Sequence, residues 1–335
     1  MKAASLAFVA AAVAPIAVSA LARLDRAPPP VPAPTFVASA PGPAAPSPAP
    51  AAGATTPAAG ATTPAAGART APAPPPAPTA AASADCLKRF ADIALPAQRG
   101  DGAADGHTLI CRRGYVLSFD SKTRDPDWVM EHLAPSDFVG SAKRSNKFGR
   151  DPLLGGVDAD NIDYLKTGFD RGHQAPAGDA KFLQAIMDQS FFFSNMAPQI
   201  GIGFNRGAWK FLEETIRAWV TCGGHDDLYV ITGPIYPTGP GGKVIGPDKV
   251  TVPVQFFKIV YDVKSGRAVG FVLPNRKIGS TIPDLQVFVK PIADIETETG
   301  LDFFRSFDMR RQAQLEGQAG TAWGHSGACT GDTGD

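Results

Sequence analysis

The sequence predicts an α+β fold built around an antiparallel or mixed sheet, and three observations carry that prediction. Apolar runs of strand length recur at 114–119, 228–232, 252–261 and 268–273. Between them lie segments with helical character: an apolar stripe at Trp209, Leu212, Ile216 and Trp219, and a polar stretch near 284–299. The two kinds of element mix without the regular βαβ alternation of a parallel sheet. No GxGxxG or Walker A pattern marks a nucleotide cofactor.

Taken in order, the chain starts with a leader. Residues 1–22 carry a single Lys2 before the apolar run AASLAFVAAAVAPIAVSALA, with small residues at Val18-Ser19-Ala20 and Ala20-Leu21-Ala22. That suits a cleaved signal peptide, and the run is also long enough for a membrane anchor that would tether the protein. Either places the remainder outside the cytosol, in the periplasm or beyond. A mitochondrial transit peptide, leading to the intermembrane space, fits less well because the segment opens without arginine. Residues 23–84 are almost wholly Ala, Pro, Thr, Ser and Gly, with GATTPAA at 53–59 and again at 60–66. Such a stretch buries too little apolar surface to offset its ordering entropy, so it is expected to be a disordered linker. Without residues 1–84 the chain holds 28 basic and 31 acidic residues. That balance argues against a protein coating nucleic acid by bulk charge, though not against a local basic groove.

A single domain is expected over 85–335. Its four cysteines, Cys86, Cys111, Cys222 and Cys329, match no zinc spacing. In an exported chain an even count suggests disulfides; Cys86–Cys111 and Cys222–Cys329 are the preferred pairs, with buried thiols as the alternative. Residues 114–119 read as a strand, 124–133 (RDPDWVMEHL) as a strand or short helix, and 137–151 as a basic loop with Lys143, Arg144, Lys147 and Arg150. The run 191–194 reads as a strand ending at Asn195, and 228–232 as a strand stopped by Gly233-Pro234.

The chemistry concentrates between Asp170 and Glu214. His173 titrates near neutrality and can serve as a base. Arg171, two residues earlier, would share its face of an extended strand and could grip a phosphate bidentately. Asn205, Trp209 and Glu213 stand at i, i+4 and i+8, which on a helix aligns them on one side. An amide oxygen suits Mg2+, which retains most of its waters, and Glu213 could hold one of them. Taken singly, each has a plainer reading: a surface histidine, an N-cap, an exposed helix acid.

DRGHQAP (170–176), SNMAPQ (194–199) and FNRGAWKFLEE (204–214), in this order and spacing, resemble the DNA/RNA non-specific endonucleases, the group of secreted bacterial nucleases and endonuclease G. The likeness extends through 123–133, 229–236, 252–262 and 285–304, nearly the whole of 110–305. It implies a ββα-metal (His-Me finger) domain with a mixed, mainly antiparallel central sheet flanked by helices. It also implies His173 as general base and Asn205 as the direct Mg2+ ligand, with Mn2+ as the alternative ion. Asn195 and Glu213 would support the site, Arg171 would contact phosphate, and an arginine of the basic loop, Arg144 or else Arg150, would stabilise the transition state. DNA and RNA would both be substrates, cut to 5′-phosphate ends, and family members are commonly dimers. The rival expectations are a non-catalytic nucleic-acid-binding module on a tether, against which His173 and Asn205 both speak, and a phosphodiesterase for another substrate.

Overall fold

The computed structural model describes residues 86–99, 106–238, 242–279 and 284–324. The expected leader at 1–22, the linker at 23–84 and Cys329 lie outside the described residues. The strands that position the site are β1 (His107–Cys111), β2 (Val116–Asp120), β3 (Asp125–Leu133), β4 (Phe169–His173), β5 (Met196–Ile200), β6 (Leu228–Ile235), β7 (Gln255–Asp262), β8 (Arg267–Pro274) and β9 (Val289–Lys290). The principal helices are α1 (Gln184–Gln189), α2 (Lys210–Thr221), α3 (Ile292–Thr299) and α4 (Met309–Glu316).

Seven strands form one antiparallel sheet in the order β9-β8-β7-β6-β3-β2-β1. Its centre is buried on both faces, so β6 and β7 are apolar almost throughout. Odd positions of these strands, Tyr229, Ile231, Phe257 and Ile259, pack against Ile292 and Ile295 of α3 and Leu315 of α4. Even positions, Val230, Phe256 and Val260, pack against Leu212, Ile216 and Trp219 of α2. The apolar stripe expected for α2 is therefore the face it buries. β4 and β5 form their own antiparallel pair.

The fold is α+β, and several elements differ from the expected ones. The segment 124–133 resolves to a strand, with Trp128 buried. Phe193–Asn195 is a tight turn, and the strand begins only at Met196; Phe191 O and Phe193 N are bonded to the backbone of Gly149 instead. Gly233-Pro234 does not stop β6. The ladder to β3 ends at Thr232, so Pro234 has a single neighbour, β7, and its missing N–H falls where no partner strand runs. Gly233 is needed there: a Cβ would sit 2.3 Å from the Asp127 carbonyl. The stretch 284–299 divides into a short 3-10 turn, β9 and α3. Cys86 is bonded to Cys111, with 6.0 Å between their Cα atoms, pinning the start of the domain to β1. The pairing of Cys222 with Cys329 involves a residue outside those described.

Candidate active site

His173 ends β4, where it pairs with Met196 of β5. Gly172 just before it cannot be another residue without displacement, since a Cβ would meet the Gln199 side chain at 2.3 Å. Arg171 and His173 therefore flank a position at which β5 approaches closely, and both point to the opposite face. The basic loop is stitched beside them. Gly149 N donates to Phe191 O (3.3 Å), Phe193 N donates to Gly149 O (3.0 Å), and Lys143 N donates to the Gln184 side chain (2.8 Å).

The imidazole of His173 lies among aromatic rings and cations. Phe148 and Phe191 meet it in T-shaped contacts, with centroids at 5.8 and 4.9 Å. Its Nε2 is enclosed and has no hydrogen-bond partner. Burial, and then the positive charges of Arg144 and Arg171, lower its pKa to about 3. The ring is thus neutral throughout the physiological range, with a lone pair available. The Arg171 guanidinium stacks on Phe148 at 3.9 Å and donates to Asn161 (2.6 Å). Arg144 lies over Phe191 at 5.2 Å and donates to Asn146 (3.1 Å).

The two arginines between which the sequence leaves the choice open stand in different surroundings. Arg150 is spent on the fold: it donates to Asp160 (3.2 Å), to Asp248 (2.7 Å) and to the carbonyls of Gly156 and Asp158. Arg144 is exposed and is one of the two cations that act on His173.

Asn205 is not on the helix that carries Glu213, and here the i, i+4, i+8 argument fails. Residues 201–209 wind irregularly, with non-helical dihedrals at Ile202, Gly203, Arg206 and Gly207, and α2 begins at Lys210. What holds Asn205 is Asp170 on β4, whose carboxylate accepts from Asn205 Nδ2 (3.0 Å) and from the Arg206 guanidinium (2.9 Å). That hydrogen bond engages the amide nitrogen and leaves Oδ1 as the oxygen able to bind elsewhere. Gly201 makes room for it, because a Cβ would lie 2.8 Å from both Asp170 oxygens.

Asn195 and Glu213 lie behind these groups. Asn195 is fully buried: its Oδ1 accepts from Ala175 N, and its Nδ2 donates to the carbonyls of Ala175 and Ser190, each at 2.9 Å. It braces the chain immediately after His173, and all three of its hydrogen bonds go to backbone groups. Glu213 belongs to a buried ionic group that sequence reading missed. Lys258, 1% exposed, donates to Thr232 (2.6 Å) and lies 5.0 Å from the Trp209 ring. Burial lowers its pKa, against the opposing pull of Glu213, Glu131 and Asp179. Asp179 is bonded to Arg217 at 2.8 Å. Burial, then the neighbouring Asp179, raises Glu131 well above the ordinary carboxyl range. Only Glu213 and Arg217, one helical turn apart, left a signal in the sequence.

Two sets of oxygens and nitrogens could receive a metal ion. One centres on Asn205 beside Asp170; the other is His107, Asp120 and Asp127 on β1 to β3, whose ligand atoms lie within 4.8 Å of one another. The first is joined to the His173 strand through Asp170, and the second is not on that strand.

These residues lie within a match to the DNA/RNA non-specific endonuclease family over 97–309. The chain belongs to that family. Its members are metal-dependent endonucleases that hydrolyse phosphodiester bonds, and this chain is accordingly an enzyme of that class. It is 38% identical over 218 residues to "Nuclease C1" of Cunninghamella echinulata var. echinulata, covering 61% of this chain and 85% of that one. It is 36% identical over 226 residues to the mitochondrial endonuclease G of Caenorhabditis elegans, covering 62% and 72%. Among solved structures, an EndoG chain in complex with EndoGI superposes with a TM-score of 0.59 at 31% identity, over 70% of this chain and 96% of that chain. Among the described residues no helix is long and apolar enough to cross a membrane.

Proposed function

We propose that this endonuclease is exported, uses Mg2+ or Mn2+, and cuts DNA and RNA alike, with His173 as general base and Asn205 as the metal's direct ligand. The observation that carries this reading is a neutral histidine without a hydrogen-bond partner, flanked by two guanidinium groups, at the end of the strand whose Asp170 orients Asn205. His173 takes the proton of the attacking water at Nδ1, since Nε2 is enclosed. Arg171 and Arg144 hold non-bridging phosphate oxygens, contacts that read no base and so suit either nucleic acid. A hard divalent cation on the Asn205 oxygen would neutralise charge developing on the phosphate and its leaving oxygen. Glu213 would supply a carboxylate to the waters of that ion, and Asn195 keeps the residues after His173 in place. As His173 is nearly invisible to protons above pH 4, its activity as a base is strengthened when a bound diester offsets the charges of Arg144 and Arg171.

Export is supported by the leader at 1–22 and by the Cys86–Cys111 bond, which persists in oxidising compartments. The mature N-terminus of the secreted protein, read by mass spectrometry, distinguishes cleavage from a retained anchor. The catalytic assignment is tested by incubating the full chain with supercoiled plasmid and with RNA, in Mg2+, in Mn2+ and in EDTA, beside His173→Ala and Asn205→Ala. Metal-dependent loss of both substrates, absent in the first variant and greatly reduced in the second, is expected. Turnover by His173→Ala close to the parent would refute the base assignment. Cleavage of small diesters but of neither polymer would favour a phosphodiesterase.

A further inference from the structure

The outer edge of the large sheet carries a second cluster of donor groups. Its register places His107 of β1 opposite Asp120 of β2, and Asp120 opposite Asp125 of β3. Residues paired directly across antiparallel strands turn their side chains to one face, so these three form a row. Asp127 joins them through a β-bulge: Ser118 and Phe119 stand opposite Trp128 and Pro126, which leaves Asp127 as the extra residue. Its carboxylate meets His107 Nε2 at 3.0 Å and accepts from Ser118 Oγ at 3.1 Å.

One imidazole nitrogen and two carboxylate oxygens, from His107, Asp120 and Asp127, lie within 4.8 Å of one another. Donors on opposite sides of a zinc ion, each bound at about 2.1 Å, stand about 4.2 Å apart, so the farthest pair has about half an ångström to close. The Asp120 carboxylate is already oriented, accepting from Lys122 N at 2.8 Å and from Thr123 Oγ1 at 3.1 Å. Asp125, next in the row, is fully buried; its Oδ2 accepts from Tyr236 at 2.7 Å, and its Oδ1 has no partner. The charges acting on Asp125 are Asp120 and Asp127, both negative. A buried carboxyl oxygen left unpaired beside two further carboxylates is an arrangement that a cation completes. The His107 side chain is 21% exposed and gives an ion a way in from solvent.

We propose that His107, Asp120 and Asp127 bind a divalent transition-metal ion of the Zn2+ class, with the unpaired oxygen of Asp125 beside them, at a structural site distinct from the Asn205 centre. The donor set decides the ion. An imidazole nitrogen with carboxylate oxygens suits Zn2+, whereas Mg2+ takes oxygen donors and keeps several waters. The fold decides what the ion does. β1 is the outermost strand of the sheet and only five residues long, and its Cys111 end is bonded to Cys86. An ion held at His107 fastens the other end to β2 and β3, and its binding free energy adds to that of folding. The cluster shares no residue with the site that holds His173 and Asn205, so it stands or falls apart from the catalytic reading.

The test uses the full chain, without an affinity tag and stripped of metal by a chelator, in buffer with excess Mg2+ so that a site for that ion is filled. Zn2+ alone is the probe. Equilibrium dialysis with elemental analysis should find one zinc ion per chain. With Zn2+ at about a hundredfold excess over its dissociation constant, the melting temperature should rise by about 5–10 °C. His107→Gln and Asp127→Asn, each close to the parent side chain in size and each measured by itself, should lose both the zinc and the rise. Asn205→Ala should keep both. A parent protein that binds no zinc, or whose melting does not move with it, overturns the proposal without any variant having to fold. Zinc retained in either folded variant, or lost in Asn205→Ala, puts the ion elsewhere and overturns it as well.

Discussion

Four histidines lie among the described residues, and three of them share one environment that the fourth lacks. His107 Nε2 is 3.0 Å from Asp127, His132 Nε2 is 2.6 Å from Asp227, and His225 Nδ1 is 2.8 Å from Asp262. His132 also stacks on Tyr229, and His225 on Trp323. His173 has two arginines and two phenyl rings instead. A carboxylate partner secures a histidine and stabilises its charged form. Two cations and a dry wall do the reverse, which costs folding free energy and is tolerated where the surrounding structure fixes the geometry. On the proposed function, the His132 and His225 pairs with aspartate belong to the scaffold and the ring without one to the chemistry.

The most severe way to break this comparison is to remove the rings one at a time. His173→Ala is expected to lower kcat by about two to four orders of magnitude, the usual contribution of a general base. Its melting temperature should fall only by the packing lost against Phe148 and Phe191, since no ion pair is broken. His132→Ala and His225→Ala should behave oppositely, with activity within about twofold of the parent and a lower melting temperature, each leaving an aspartate without its partner. A plasmid-nicking assay beside a thermal melt reads both; loss of activity without loss of stability in His225→Ala would erase the distinction.

The same division separates Arg144 from Arg150. Arg144→Ala should reduce kcat by about 100-fold while melting like the parent, the scale on which a single electrostatic donor to a transition state acts. Arg150→Ala should instead destabilise by about 1–2 kcal/mol, discounted for its partial exposure, because Asp160, Asp248 and two carbonyls lose their donor. Equal effects of the two on kcat would place them in one role.

Asn195 tests whether a residue inside the motifs must touch the reaction. Asn195→Ala leaves the Ala175 N–H and two buried carbonyls unpaired and is expected to cost about 2–3 kcal/mol by chemical denaturation. KM should change little, as the side chain's hydrogen bonds are all to backbone groups.

What was legible in the sequence follows the range of the forces involved. The strand-length apolar runs and the α2 stripe are local periodicities, and both elements stand where they were expected. DRGH carries the proposed base and one arginine, but the aspartate at its head, which is hydrogen-bonded to Asn205, has that partner 35 residues further on. No spacing rule reaches that far. The irregular wind of 201–209 is hidden by the helical spacing of Asn205, Trp209 and Glu213, which takes no account of the glycines at 201, 203 and 207, of which Gly203 has φ 83°. Gly233-Pro234 reads as a stop in the sequence because the number of neighbours of a strand position is a property of the sheet. The Lys258 group was invisible for a related reason: Glu131, Thr232 and Lys258 meet only when β3, β6 and β7 lie side by side.

The subtlest prediction concerns stability rather than turnover, and it follows from the sign of the His173 shift. In the folded chain the ring gains its proton only near pH 3, whereas in the unfolded chain it does so near 6.5. Between these values the unfolded state binds more protons, so this residue makes stability fall as pH is lowered from about 6.5 towards 3, by at most about 1.4 kcal/mol per pH unit. The depressed pKa of Asp262, which accepts from His225, works in a lower window: it contributes stability above the ordinary carboxyl range that is lost only as pH falls through its folded value. Asp127 and Asp158, raised by burial to about 6, and Glu316, raised by burial to about 7, also titrate between pH 7 and 5, so it is the difference between the parent and His173→Gln over that interval that isolates the histidine. The parent should lose stability over that interval more steeply than His173→Gln, which has no proton to gain. Parallel curves would mean that His173 is protonated as readily in the folded chain as outside it, and the contrast with the aspartate-bound histidines would lose its electrostatic basis.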